Sequence, residues 1–135
     1  MTRPASFAYV TAVYVLALAA AVFAARTTGD LTAQLALGTT AATLVVFAGS
    51  RLANNSSVYD PYWSVFPFAA LVWFALPNLT ERGALVLAVS ALWSIRLTFN
   101  WARSWKGLAH EDWRYADIRA KTGRVMGDCE GRAVL

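Results

Sequence analysis

One cysteine and one histidine are all the soft-ligand chemistry this sequence offers. Cys129 has no second cysteine with which to form an intrachain disulfide. With only His110 beside it, no site of three or four Cys and His ligands can be assembled, so no metal centre of that kind is expected. Charge is scarce as well. Eight Asp and Glu stand against twelve Lys and Arg, and charged residues make up 15% of the chain, where a soluble domain carries about 25%. Their place is taken by apolar residues, 58% of the total, which excludes an ordinary soluble domain. Glycine-rich phosphate loops, a Ser-His-Asp set and internal repeats are absent. The net charge of +4 does not indicate a nucleic-acid binder, because the basic residues sit in loops and a tail beside hydrophobic runs.

What is present is a series of membrane-grade segments. Residues 5–25 are uncharged and bracketed by Arg3 and Arg26. At 1.5 Å per residue such a run spans about 30 Å, the thickness of the hydrocarbon core. It exceeds the apolar region of a signal peptide, about 7–15 residues, and further segments of the same grade follow it. Residues 31–50 form the second span, rich in Thr, Gly and Ala, whose small side chains allow close helix packing within protein. The third, 61–77, carries Pro67, which predicts a kink, and many aromatics, with Tyr62 and Trp63 at an interfacial level. The fourth, 83–102, is apolar to Ile95 and then meets Arg96. The expected fold is therefore all-α, an integral membrane bundle of about four transmembrane helices in a single domain over 1–120. A polar interfacial helix follows at about 110–120, and residues 121–135, with Gly123, Gly127 and Gly131, read as a disordered tail.

Four spans put both termini on one side of the bilayer. That side holds nine basic residues and the other holds Arg26 and Arg82, so both termini are expected to be cytoplasmic, in a bacterial inner membrane.

Three polar groups stand out as candidate chemistry. Arg96, Asn100 and Arg103 recur at spacings of four and three and share one face of a helix. An intramembrane arginine has to be compensated by a carboxylate, by carbonyls or by a bound anion. Snorkelling, or pairing with Asp60 to lock two helices, competes there with contact to a ligand. Between Asn54 and Asp60 the Asn and Ser side chains suit a loop that satisfies its own backbone. Tyr59 and Asp60, ahead of the proline-fixed start of the third span, equally suit a positioned phenol and acid. Glu111, Asp112, Arg114, Tyr115 and Arg119 fit either a helix at headgroup level or a group in which the guanidiniums neutralise a phosphate.

Two stretches together resemble a known family. Asn54 to Ser64, reading Asn-Asn-Ser-Ser-Val-Tyr-Asp-Pro-Tyr-Trp-Ser, is one. The other is Trp93-Ser-Ile-Arg96-Leu with Phe99-Asn100-Trp101, followed by Glu111-Asp112-Trp113-Arg114-Tyr115. They resemble the uncharacterised-domain branch of the steroid 5α-reductase-like superfamily, which also includes sterol reductases and isoprenylcysteine carboxyl methyltransferases. The resemblance covers most of residues 5–120. It implies a larger helical membrane enzyme that takes hydride from NADPH and acts on a lipophilic substrate. Asp60, Tyr59, Arg96 and Asn100 are carried over as catalytic candidates. Arg103, Glu111, Asp112, Arg114 and Tyr115 are carried over as substrate or cofactor contacts.

The cofactor landmark of the reductases, an Arg-His-Pro-Asn-Tyr-like stretch followed by Gly-Glu, does not occur in these 135 residues. The expectation is thus the N-terminal portion of a reductase-like enzyme that lacks the cofactor-binding half and is inactive alone. Two alternatives stand beside it. One is a non-enzymatic multi-span subunit that packs against a helical membrane partner through its small-residue second span. The other is part of a membrane methyltransferase. A four-span exporter is disfavoured because residues 5–25 contain no carboxylate. The expected surroundings are the lipid bilayer and a lipophilic substrate, with no nucleic acid.

Overall fold

The computed structural model describes residues 1–110 together with 113, 115, 117, 118, 120 and 121. Four α-helices follow in order: α1 (Arg3–Ala25), α2 (Leu31–Leu52), α3 (Tyr62–Ala75) and α4 (Glu81–Ser104). Short 3₁₀ turns, Ser56–Val58 and Leu76–Asn78, flank α3, and no strand occurs among the described residues. Three of the helices, α1, α2 and α4, are long and apolar enough to cross a membrane. The third, at 14 residues, is shorter than the span expected over 61–77. Of the interfacial helix expected over 110–120 only some residues are described, so that element as a unit, with Glu111, Asp112, Arg114 and Arg119, lies outside the described residues, as does 122–135.

Local chemistry explains the boundaries. Pro4 opens α1, where its missing N–H would have had no partner in any case. Asp30 caps α2 by accepting from the Ala33 N–H at 2.7 Å, and Thr80 caps α4 by accepting from Gly83 at 3.1 Å. Asn54 takes the left-handed region at φ 47°, which asparagine tolerates, and so turns the chain out of α2. Pro61 stands at the start of α3, and the helix runs on through Pro67.

The helices alternate in direction. Arg3, at the start of α1, donates to carbonyls at the end of α4, so these two termini meet. At the opposite end, the Trp73 indole near the end of α3 donates to Gln34 Oε1 at the start of α2, at 3.2 Å. The third helix therefore returns the chain from the Arg3 end to the Gln34 end.

The tightest packing joins α1 to α2. Val10, Val13, Ala17, Ala21 and Ala25 form one buried face of α1; Val13, Ala17 and Ala21 meet Gly38, Ala42, Val46 and Gly49 of α2, while Val10 packs with Val58 and Trp105. A Cβ at Gly49 would stand 2.7 Å from a methyl of Val13, and one at Gly38 would stand 3.3 Å from the Ala21 carbonyl oxygen. Gly38, Ala42 and Gly49 of the second helix thus serve close approach to α1 within the chain.

Candidate functional site

At the Arg3 end, the loop between α2 and α3 is folded against the end of α4. Asn55 is its anchor and is only 1% exposed. Its amide nitrogen donates to the carbonyls of Leu108 at 3.0 Å and His110 at 3.1 Å, while its Oδ1 accepts from the Ser57 N–H at 2.9 Å. Two of the loop's own carbonyls are held by side chains. The Tyr14 hydroxyl donates to Val58 O at 3.0 Å and the Trp101 indole to Ser57 O at 3.1 Å, while the Tyr9 hydroxyl donates to Gly49 O in the last turn of α2 at 2.7 Å. Satisfying backbone groups this fully is what a bilayer environment requires of irregular chain.

The segment after α4 is pinned to α1. Ser6 Oγ accepts from the Leu108 N–H at 3.2 Å and donates to Thr2 O at 3.0 Å. Gly107 sits at φ 109°, where a side chain is strained, and a Cβ there would approach Ser6 Oγ to 3.1 Å. The Phe7, Trp101 and Trp105 rings pack together, the two indoles stacked at 4.8 Å.

Between these elements lies a cavity of about 100 Å³ lined by Ser57, Asp60, Trp101, Ser104, Trp105 and His110. Room of that size admits a few waters or the polar end of a larger molecule. Two features give it chemical character. The Tyr115 hydroxyl donates to Asp60 Oδ1 at 2.5 Å, which joins two residues 55 positions apart. The second feature is the indole N–H of Trp105, a residue 5% exposed, which is buried with no acceptor among the described residues. An orphan donor of this kind costs about 1–3 kcal/mol unless something arrives to accept it. The arrangement therefore presents one unspent donor, the Trp105 N–H, which suits an incoming oxygen.

The residues singled out from the sequence fall into separate places. Asp60 and Tyr115 are brought together at this cavity. Tyr59 lies beside it, stacked on Tyr62 at 5.0 Å and edge-on to Trp63 at 5.8 Å. Arg96, Asn100 and Arg103 are not part of the cluster. They are exposed on the outer side of α4, around a shallow groove of about 230 Å³ shared with Leu97 and Phe99. The alternative of an Arg96–Asp60 pair does not form, and Arg96 has no hydrogen bond or ion pair among the described residues. Glu111, Asp112 and Arg114 lie outside the described residues.

Sequence reasoning missed Trp101, Trp105 and Arg3 around this site. Asn55 and Ser57 lie in the segment it read as a loop satisfying its own backbone, and the Asn55 Oδ1 bond to the Ser57 N–H is of that kind.

Among the described residues no three His, Cys, Asp or Glu groups gather to hold a metal. A nicotinamide dinucleotide does not fit the described residues either. Ligand sites of that class occupy about 300–1,000 Å³, and both polar cavities are smaller. The larger groove of about 620 Å³ at the Gln34 end is lined by uncharged residues such as Leu31, Val72, Trp73 and Pro77, and the Arg26 guanidinium beside it lies over the Trp73 ring, 5.9 Å from its centre.

A family model described as "Protein of unknown function (DUF1295)" matches residues 46–130, which takes in the loop, α3, α4 and the segment that bears Tyr115. No curated protein and no solved structure matches the chain.

Proposed function

We propose, from the premise that the chain belongs to the DUF1295 family, a steroid 5α-reductase-like family, that it forms the substrate-side part of a membrane reductase acting on a lipophilic carbonyl compound. The carrying observation is the Trp105 indole N–H, which has no acceptor among the described residues and belongs to a residue lining the small cavity beside the Asp60–Tyr115 pair. Reduction of a double bond conjugated to a carbonyl builds negative charge on the carbonyl oxygen. Fixed donors in a site shielded from water stabilise that charge far better than water does. In this reading the substrate oxygen accepts from the Trp105 N–H. The single Tyr115 proton stays on Asp60 and holds that carboxylate in place beside the cavity, and Tyr59 with Tyr62 borders the apolar part of the ligand. The resemblance implies NADPH as the source of hydride, and the reading assigns its binding to none of the described residues.

The same proposal includes a fourth crossing. The 14 residues of α3 and the three of the following 3₁₀ turn reach about 27 Å at about 1.5 and 2.0 Å per residue, close to the hydrocarbon thickness. Their return from the Arg3 end to the Gln34 end supports it. With four crossings, the basic side containing Arg3, Arg51 and Arg103 is cytoplasmic.

Titration of the detergent-purified chain with a steroidal 4-en-3-one, followed by tryptophan fluorescence, tests the reading. Saturable quenching is expected, and binding at least ~10-fold weaker for the same steroid without its 3-oxygen, a difference of about 1.4 kcal/mol. Equal binding of the two steroids contradicts it.

A further inference from the structure

The fourth helix has two opposite faces. Ser90, Ser94 and Thr98 turn towards the bundle, and Thr98 Oγ1 meets Ser64 Oγ of α3 at 2.9 Å. On the other side Leu85, Val89, Leu92, Arg96, Phe99 and Arg103 recur at spacings of four, three, four, three and four, and all six are exposed. A stripe that repeats every 3.5 residues is the seam along which one helix receives another. Nothing among the described residues covers it.

Depth decides what can lie there. The midpoint of the 24-residue α4 falls between Leu92 and Trp93. Arg96 stands about 5 Å from that midpoint, hence about 10 Å inside a hydrocarbon core about 30 Å thick. An extended arginine side chain reaches about 7 Å over its six bonds, too short to bring the guanidinium to a lipid phosphate or to water. A second copy of this chain does not solve the problem. Copies inserted with the same topology would set Arg96 against Arg96, two like charges in a medium of low dielectric.

We propose that the outer face of α4 docks a transmembrane helix of another polypeptide that carries an aspartate or glutamate level with Arg96. Leu85, Val89, Leu92 and Phe99 supply the packing, and the groove beside Arg96 and Asn100 seats the acidic side chain. Charge complementarity fixes the depth at which the two helices register. This proposal is independent of the carbonyl site on the bundle side.

The test uses the full chain labelled at Cys129, its only cysteine, in phosphatidylcholine vesicles. The probes are acceptor-labelled synthetic apolar helices of about 20 residues that carry a central Glu, Leu or Lys. Energy transfer to the Glu peptide is expected at a peptide density at least ~10-fold lower than to the Leu peptide, with none to the Lys peptide. Arg96→Leu should erase the preference for Glu, and Arg96→Glu should transfer it to the Lys peptide. Because Arg96 has no hydrogen bond or ion pair among the described residues, circular dichroism of both variants should match that of the wild type. The comparison of peptides on the unaltered chain holds even if a variant fails to fold. Equal transfer to Glu and Leu peptides overturns the proposal. So does release of the Glu peptide by added phosphatidylglycerol, which would make an anionic lipid the occupant. Arg96-dependent transfer between two copies of the chain would overturn it as well.

Discussion

The guanidinium of Arg3 closes the far end of α4: its Nη2 donates to the Ala102 carbonyl at 2.9 Å and its Nε to the Trp105 carbonyl at 3.2 Å, across about a hundred residues of chain. The last carbonyls of a helix lack partners within it, and a cation there also meets the negative end of the helix dipole. One side chain thus joins the start of α1 to the end of α4 and holds the backbone of Trp105, a residue that lines the cavity.

Replacing Arg3 with Ala should therefore act at a distance. Loss of these bonds is expected to destabilise the bundle by about 1–2 kcal/mol. Thermal unfolding in detergent checks the value. Hydrogen exchange should quicken at the end of α4 more than at the α1–α2 contact, and an unchanged pattern would refute the role given to Arg3.

Gly49→Ala places a Cβ within 2.7 Å of Val13, whose branched side chain cannot swing away freely in a helix. Overpacking of this kind costs about 1–3 kcal/mol. The double substitution with Val13→Ala should recover most of the loss, as measured by the unfolding midpoint. Failure to recover would mean that the α1–α2 contact is not the source.

Asn55→Ala removes the donor to Leu108 and His110 and the acceptor for Ser57. With buried groups left unpaired, a loss of about 1–3 kcal/mol or more is expected. Tyr14 and Trp101 would still hold the loop, so helicity by circular dichroism should persist while proteolysis of the 53–61 segment accelerates.

The two stacked indoles make a controlled pair. The Trp101 N–H is bonded to Ser57 O, whereas that of Trp105 has no acceptor. Trp101→Phe should cost about 1 kcal/mol more in stability than Trp105→Phe, because only the former breaks a bond, while only the latter lifts a desolvation penalty. Binding of the enone should show the reverse order. Thermal unfolding and steroid titration on the same two variants supply both numbers.

How much of this was legible in the sequence depended on whether a feature is local. The ends of α1 and α2 follow from uncharged runs closed by Arg26, Asp30 and Arg51, and the structure agrees to within two residues. The brevity of α3 was less clear, because the apolar run continues past Ala75 to Leu76 and Pro77 while the turn at Leu76–Asn78 ends the α-helical bonding. Asp60 stood out by its place before Pro61, yet its partner Tyr115 lies 55 residues on and is brought to it only by the return of α4. Arg3 read as a topology signal, since nothing in its neighbourhood foretells a contact with Trp105. The orphan N–H of Trp105 is a property of burial and has no sequence signature. The shared face of Arg96, Asn100 and Arg103 was visible as spacing, but that it turns away from Asp60 depends on which side of α4 packs on α3.

The most direct test of the carbonyl site is the infrared stretch of a steroidal 4-en-3-one, isotopically labelled at the 3-carbonyl, bound to the detergent-purified chain. A hydrogen bond from the Trp105 N–H should lower the frequency relative to the same steroid in an apolar solvent. The shift should diminish in Trp105→Phe and persist in Trp101→Phe, whose N–H is already bonded to Ser57 O. A bound steroid whose carbonyl frequency equals that in hydrocarbon, or a shift indifferent to Trp105→Phe, would contradict the assignment.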